Sequence, residues 1–162
     1  MPTPMPETPT THEWISKVLE EHRQLNEMVA ELREFLDEPR PAVGEKGAHT
    51  WSTQLTQRLV RLHDALYLHF REEEEGGMME DLTEAHPRAT GAVESLFSDH
   101  EKILRGLRRC TAGAMEYSEG HEPEDAGLRR RLARILDCLH HHEMEETDLI
   151  QRLEYEMIGP GD

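Results

Sequence analysis

Four histidines stand where apolar residues are expected: His22, His69, His100 and His142. Each interrupts an apolar stripe that advances by alternating three- and four-residue steps. Two of the stripes also carry a glutamate four residues after the histidine, Glu73 and Glu146. Residues four apart share one helix face, so the spacing that buries the leucines buries these six groups as well. An unpaired carboxylate in a protein interior costs several kcal/mol even after relaxation. Two carboxylates among four imidazoles therefore need positive charge between them. A metal pair supplies it, with two histidines for each ion and both glutamates bridging. Imidazole and carboxylate donors suit iron, manganese or zinc better than magnesium or calcium. Such a shell leaves positions open for water or a small ligand.

The elements that must carry these groups are helices. The first stripe is Ile15, Val18, His22, Leu25, Val29, Leu32 and Leu36. The second is Leu55, Leu59, Leu62, Leu66, His69 and Glu73. The third is Val93, Leu96, His100, Ile103, Leu107, Cys110, Ala114 and Tyr117. The fourth is Leu128, Leu132, Ile135, Leu139, His142, Glu146, Leu149 and Leu153. One such stripe per segment is the pattern of a helix with a single buried face. Breaker-rich stretches at 38–50, 76–90 and 118–127 separate the four segments. The expected fold is all-α, an up-down-up-down four-helix bundle. At about 1.5 Å of rise per residue, alternating directions bring all four histidines to one level, nearer the end that holds the 76–90 connection. The order His, then His-x-x-x-Glu occurs twice, which makes the bundle two pseudo-symmetric helical hairpins with the site between them. Thr10 with Glu13 reads as a capping box, and Thr90 as a second N-cap.

The run His140, His141, His142 admits two registers. His141 has Glu145 four residues on, and His142 has Glu146. Leu139 and Ile135 precede His142 as Leu66 and Leu62 precede His69, which favours His142 with Glu146. His12, His49, His86 and His121 fall in the leader or in loops and read as surface residues; His63 lies well off its stripe. Glu72, Glu74 and Glu75 read as a solvated acidic face. Cys110 and Cys138 are about 9 Å apart in depth by the same rise. That is beyond disulfide reach, and both read as reduced core thiols.

The chain has 162 residues, 18 basic against 34 acidic side chains, a formal charge of −16 and 11 histidines. Such an acidic surface repels phosphate backbones and argues against nucleic-acid binding. No apolar run is long enough for a membrane span, and the proline- and threonine-rich start has no signal-peptide core. The expected organisation is a leader over residues 1–11, one domain over residues 12–158 and a tail over residues 159–162, in a cytoplasmic protein. No Ser/His/Asp arrangement or phosphate loop indicates other catalysis, and no catalytic group beyond the six ligands can be assigned.

The segments EEH around His22, HFREEEEGG from His69, SDHEKIL around His100 and HEMEETDLIQ from His142 resemble the hemerythrin-like, or HHE cation-binding, domains over residues 13 to about 158. The resemblance implies a four-helix bundle with a non-haem, carboxylate-bridged centre of two iron ions. By position it carries over His22, His69, Glu73, His100, His142 and Glu146 as the ligands. The sequence departs from the oxygen-carrying members at two places. Their second helix-3 histidine falls at Leu104, and their helix-4 aspartate falls at Thr147, with Glu146 one residue earlier. The resemblance therefore implies a four-His, two-Glu variant. Its expected ligand is a small oxidant (O2, peroxide or nitric oxide), in oxygen or redox sensing or the oxidative-stress response. A sensing output would need a protein partner that the sequence does not name. The alternatives are an iron store or chaperone, and a metal-free helical interaction module. A ferritin-like site is disfavoured, because no stripe histidine has a glutamate three residues before it.

Overall fold

A computed structural model describes residues 10–121 and 127–158; the expected tail and all but the last two residues of the expected leader lie outside these. Among the described residues the chain is helical, without strands. α1 spans Thr11–Asp37, α2 Ala48–Glu75, α3 Met78–Ala85, α4 Thr90–Ser118 and α5 Leu128–Ile158. α1 starts one residue inside the expected leader. The Thr10 side chain accepts from the Glu13 N–H at 3.3 Å, and the Glu13 carboxylate accepts from the Thr10 N–H at 2.7 Å. A cap of this kind contributes about 1 kcal/mol.

The four long helices pack side by side with neighbours running in opposite directions. Along α1 and α2, Lys17 pairs with Glu72, His22 faces His69 and Phe35 stacks on Trp51. Along α2 and α4, Glu74 meets His100 and Trp51 meets Tyr117. Along α4 and α5, His100 faces His142 and Gly106 lies under Ile135. Along α1 and α5, Arg33 pairs with Asp137 at 2.8 Å. Gly106 makes the α4–α5 approach possible, because a Cβ there would stand 2.2 Å from Ile135 Cδ1.

The buried side chains form two separate apolar clusters. The larger runs from Leu25, Leu62 and Ile103 to Trp51, Tyr117 and Leu128. The smaller holds Trp14, Ile15, Val18, Met79, Leu82, Val93, Leu96, Leu149, Ile150 and Leu153. The histidine–glutamate layer lies between them in register. The stripes place every expected position in the interior except Ile135, which is half-buried while Leu136 takes the core position.

The 76–90 connection is more ordered than the breakers suggest. It contains α3, which buries Met79 and Leu82 over the end of the smaller cluster. Gly77, at φ +81°, makes the sharp turn from α2 into it. Glu80 and Asp81 in its first turn suit the helix dipole. A 3-10 turn over Pro87–Ala89 then leads straight into α4. The backbone is already helical at Ala89, so Thr90 is the first residue of α4 rather than its cap, and its hydroxyl donates to the Pro87 carbonyl at 3.0 Å. Cys138 is also not where it was expected. It lies off the α5 stripe and is exposed, while Cys110 is buried.

Candidate metal centre

α1 brings His22, α2 His69 and Glu73, α4 His100, and α5 His142 and Glu146 into one buried layer. None of the six is more than 5% exposed. Helix periodicity alone gives this burial, since each group occupies a position that a leucine occupies one or two turns away. The competing register on α5 points outward: His141 and Glu145 lie 3.3 Å apart with side chains 74% and 53% exposed.

The six groups fall into two sets whose candidate ligand atoms lie within 4.8 Å of one another. One is His22, His69, Glu73 and Glu146; the other is Glu73, His100 and His142. Glu73 belongs to both. Its Oε1 is 2.8 Å from His69 Nε2, and its Oε2 is 3.2 Å from His100 Nε2. Glu146 Oε2 is 3.5 Å from both His22 Nε2 and His142 Nε2. Neither carboxylate meets these nitrogens in hydrogen-bond geometry, and both oxygens of each are buried without a hydrogen-bond partner. Atoms about 2.1 Å from a shared metal ion stand about 3–3.5 Å from each other, the separation seen here. The two histidine pairs repeat one arrangement, with His22 and His69 rings 5.0 Å apart at 75° and His100 and His142 rings 4.9 Å apart at 74°.

The outer nitrogens explain the direction of the inner ones. Glu21 accepts from His69 Nδ1 at 2.6 Å, and Glu74 accepts from His100 Nδ1 at 2.7 Å. Thr147 Oγ1 lies 3.3 Å from His22 Nδ1. A carboxylate on Nδ1 fixes the tautomer and leaves the Nε2 lone pair free and more basic. The Nε2 atoms of His22 and His69 face each other at 3.1 Å. Two such lone pairs repel unless a proton or a cation lies between them. The residues present therefore fit a metal: they offer unpaired donors converging on shared points.

Electrostatics agree. Burial pushes the His142 imidazole down to about 4, against the pull of Glu146, so at neutral pH it is an uncharged donor. Burial pushes Glu73 well above the usual carboxylate range, with Glu146 adding to the rise. In Glu146, contacts with His22 and Glu73 outweigh the effect of burial and hold the carboxyl low. These shifts predict the pH response of the metal-free protein. The unfolded chain protonates His142 near 6.5 and the folded one near 4. Between these values the unfolded state binds the extra proton, so stability falls as pH falls. Between pH 7 and pH 5 this amounts to about 2 kcal/mol. The raised carboxyls of Glu73 and Glu143 act in the opposite sense over this range, each holding its proton in the folded state and costing stability as pH rises above 4.5. The His142 contribution is therefore read as a difference: by urea unfolding in chelator, the wild type should lose about 2 kcal/mol relative to His142→Asn between pH 7 and pH 5.

Three groups at the site were not legible in the sequence. Glu21 precedes His22 yet serves His69 on the neighbouring helix. Glu74 reads from the sequence as part of a solvated face, but it reaches His100 across the α2–α4 interface although its side chain is 43% exposed. Glu143 is buried beside the layer, and burial raises its carboxyl to about 7. No periodicity marks a residue that acts across a helix interface. The remaining histidines are peripheral. His12, His49 and His121 are exposed. His63 is beside Asp64 and stacks on Tyr67. His86 is less exposed than its loop suggested, 3.3 Å from Glu156.

The family model of the hemerythrin HHE cation-binding domain matches residues 15–153. No curated protein and no solved structure matches the chain.

Proposed function

The chain belongs to the hemerythrin HHE cation-binding domain family, and from that premise we propose that its six buried side chains hold two irons in a non-haem centre. The centre binds or reacts with a small oxidant, O2, peroxide or nitric oxide, in oxygen or redox sensing or in the oxidative-stress response. The observation that carries this reading is Glu73, one buried carboxylate whose two unpaired oxygens point at histidines of two different sets. A metal-free bundle gives such a group nothing to do and charges it the cost of burial.

The fold reading that goes with it is an up-down-up-down bundle of two pseudo-symmetric hairpins over residues 12–158, supported by the antiparallel neighbours and the matched histidine pairs. Iron, when bound, supplies the redox change and the open positions at which the oxidant is held. The chain's own residues do the rest. Glu21 and Glu74 orient His69 and His100 through Nδ1. Phe70 packs flat on His100, 3.9 Å between ring centroids at 6°, and fixes its plane. The apolar clusters cover the layer above and below. The proposed site of action is the cytoplasm; no helix among the described residues is long and apolar enough to cross a membrane.

The test is iron content and visible absorption after loading without oxygen and exposure to air. Wild type and His141→Ala are expected to hold about two irons per chain and to show ferric absorption, and His142→Ala to lose both. Loss in His141→Ala instead would move the site to the other face of α5. No iron in the wild type would remove the function. Peroxide disproportionation by the loaded wild type would make it an enzyme, and oxidant binding without turnover a sensor or carrier.

A further inference from the structure

Among the described residues, openings reach the buried layer from two sides. One, between α2 and α4, meets His100 across Phe70, Phe97 and Leu104. The acids around it are engaged: Glu74 by His100, Glu75 by Arg71 and Glu101 by Arg108. The other lies between α1 and α5, a cavity of about 310 Å3 that touches His22 and is lined by Asn26, His140, Glu143 and Met144. Here the inner acid is in no ion pair found among the described residues. Glu143 is 5% exposed, and neither of its oxygens has a hydrogen-bond partner, although Asn26 is close enough to influence it.

Along α5 the residues His140, Glu143 and Glu146 follow at three-residue steps. Each step rises about 4.5 Å and turns the side chain about 60° around the helix. The turn carries the series from solvent to core: His140 is exposed, Glu143 is buried at the cavity and Glu146 is fully buried in the layer. All three are side chains that bind divalent cations. Yet His140 and Glu143 fall in neither set of converging ligand atoms found among the described residues. They are suited to passing an ion rather than keeping it. The net charge of −16 gathers cations around the whole surface, and among the described residues this opening presents a buried carboxylate outside any ion pair next to a site ligand.

Resting on the metal-centre reading above, we propose that the α1–α5 cavity is the loading path for divalent cations, with His140 as the outer transfer ligand and Glu143 as the inner one that delivers the ion to His22 and Glu146.

The experiment follows uptake of cobalt(II) by the metal-free full chain under nitrogen, read as the growth of d–d absorption after rapid mixing. Glu143→Gln is expected to slow uptake about tenfold, within the range by which local charge raises cation on-rates, and to reach the wild-type amplitude at saturation. His140→Ala, at an exposed position, should slow it about threefold. Glu101→Gln, at the other opening, should load at the wild-type rate. Wild-type rates in both Glu143→Gln and His140→Ala would overturn the path. A lower final amplitude in Glu143→Gln would overturn it too, by making Glu143 a resident ligand. Should Glu143→Gln not fold, His140→Ala and Glu143→Asp carry the test, and wild-type rates in both reject it. A wild type that takes up no cobalt would reject the metal centre itself, an outcome distinct from these.

Discussion

Glu73→Ala is expected to reduce bound iron from about two ions per chain to fewer than one, whereas Glu72→Ala should leave it unchanged. Glu73 is the one side chain shared by both sets of converging donors, so its loss empties a position in each. Its removal also leaves His69 Nε2 and His100 Nε2 without the carboxyl neighbour now at 2.8 and 3.2 Å. Glu72, one residue earlier on the same helix, points to solvent and pairs with Lys17. Elemental analysis of the two variants, loaded in parallel, decides the matter. Two irons in Glu73→Ala would sink the shared-carboxylate arrangement, even if the rest of the layer bound metal.

Metal removal is expected to lower Tm by about 8–16 °C. A ligand at a thousand times its Kd stabilises by about 4 kcal/mol, and for a chain of this length each kcal/mol is about 2–4 °C. The structure gives the effect a place. The two apolar clusters do not touch through the centre of the molecule; a layer of unpaired buried donors lies between them. Without a cation that layer is a defect, and with one it is a crosslink joining four helices. The same reasoning gives Glu73→Met opposite signs in the two states. The metal-free variant should melt higher than metal-free wild type, because an unpaired buried carboxyl is replaced by an apolar chain of similar length. The variant should gain little on adding iron, because the bridge is gone. Calorimetry with and without chelator measures all four. A wild type that melts at one temperature in both conditions would refute the crosslink.

The third expected stability effect, the acid-side loss through His142, has the same origin as these two. Each follows from placing ionisable groups at leucine positions, and the placement was readable. The stripes put all six groups in the core, and counting residues from the breaks put the four histidines at one level. Ile135 and Leu139 precede His142 as Leu62 and Leu66 precede His69, and that match favours His142 over His141. In the structure His142 is 1% exposed, and the His141 side chain is 74% exposed. The breakers were a poorer guide. Gly76, Gly77 and Pro87 did mark turns, but Met79 and Leu82 gain a cover for the smaller cluster by folding α3 between them. A window of eight residues shows too little periodicity to reveal that.

Sequence alone determined which residues are buried together, because helix geometry converts spacing into a face and rise into depth, and both are local properties of the backbone. It therefore yielded the helices, the stripes and the six polar groups within them. Tertiary structure decided what those groups meet. Glu21 serves a histidine 48 positions away and Glu74 one 26 positions away, pairings that depend on how far two helices stand apart and how they are rotated. It also decided that Glu73 faces both histidine sets and that Glu143 lines a cavity. Contacts across an interface depend on the relative placement of two helices, which the periodicity of either one does not contain.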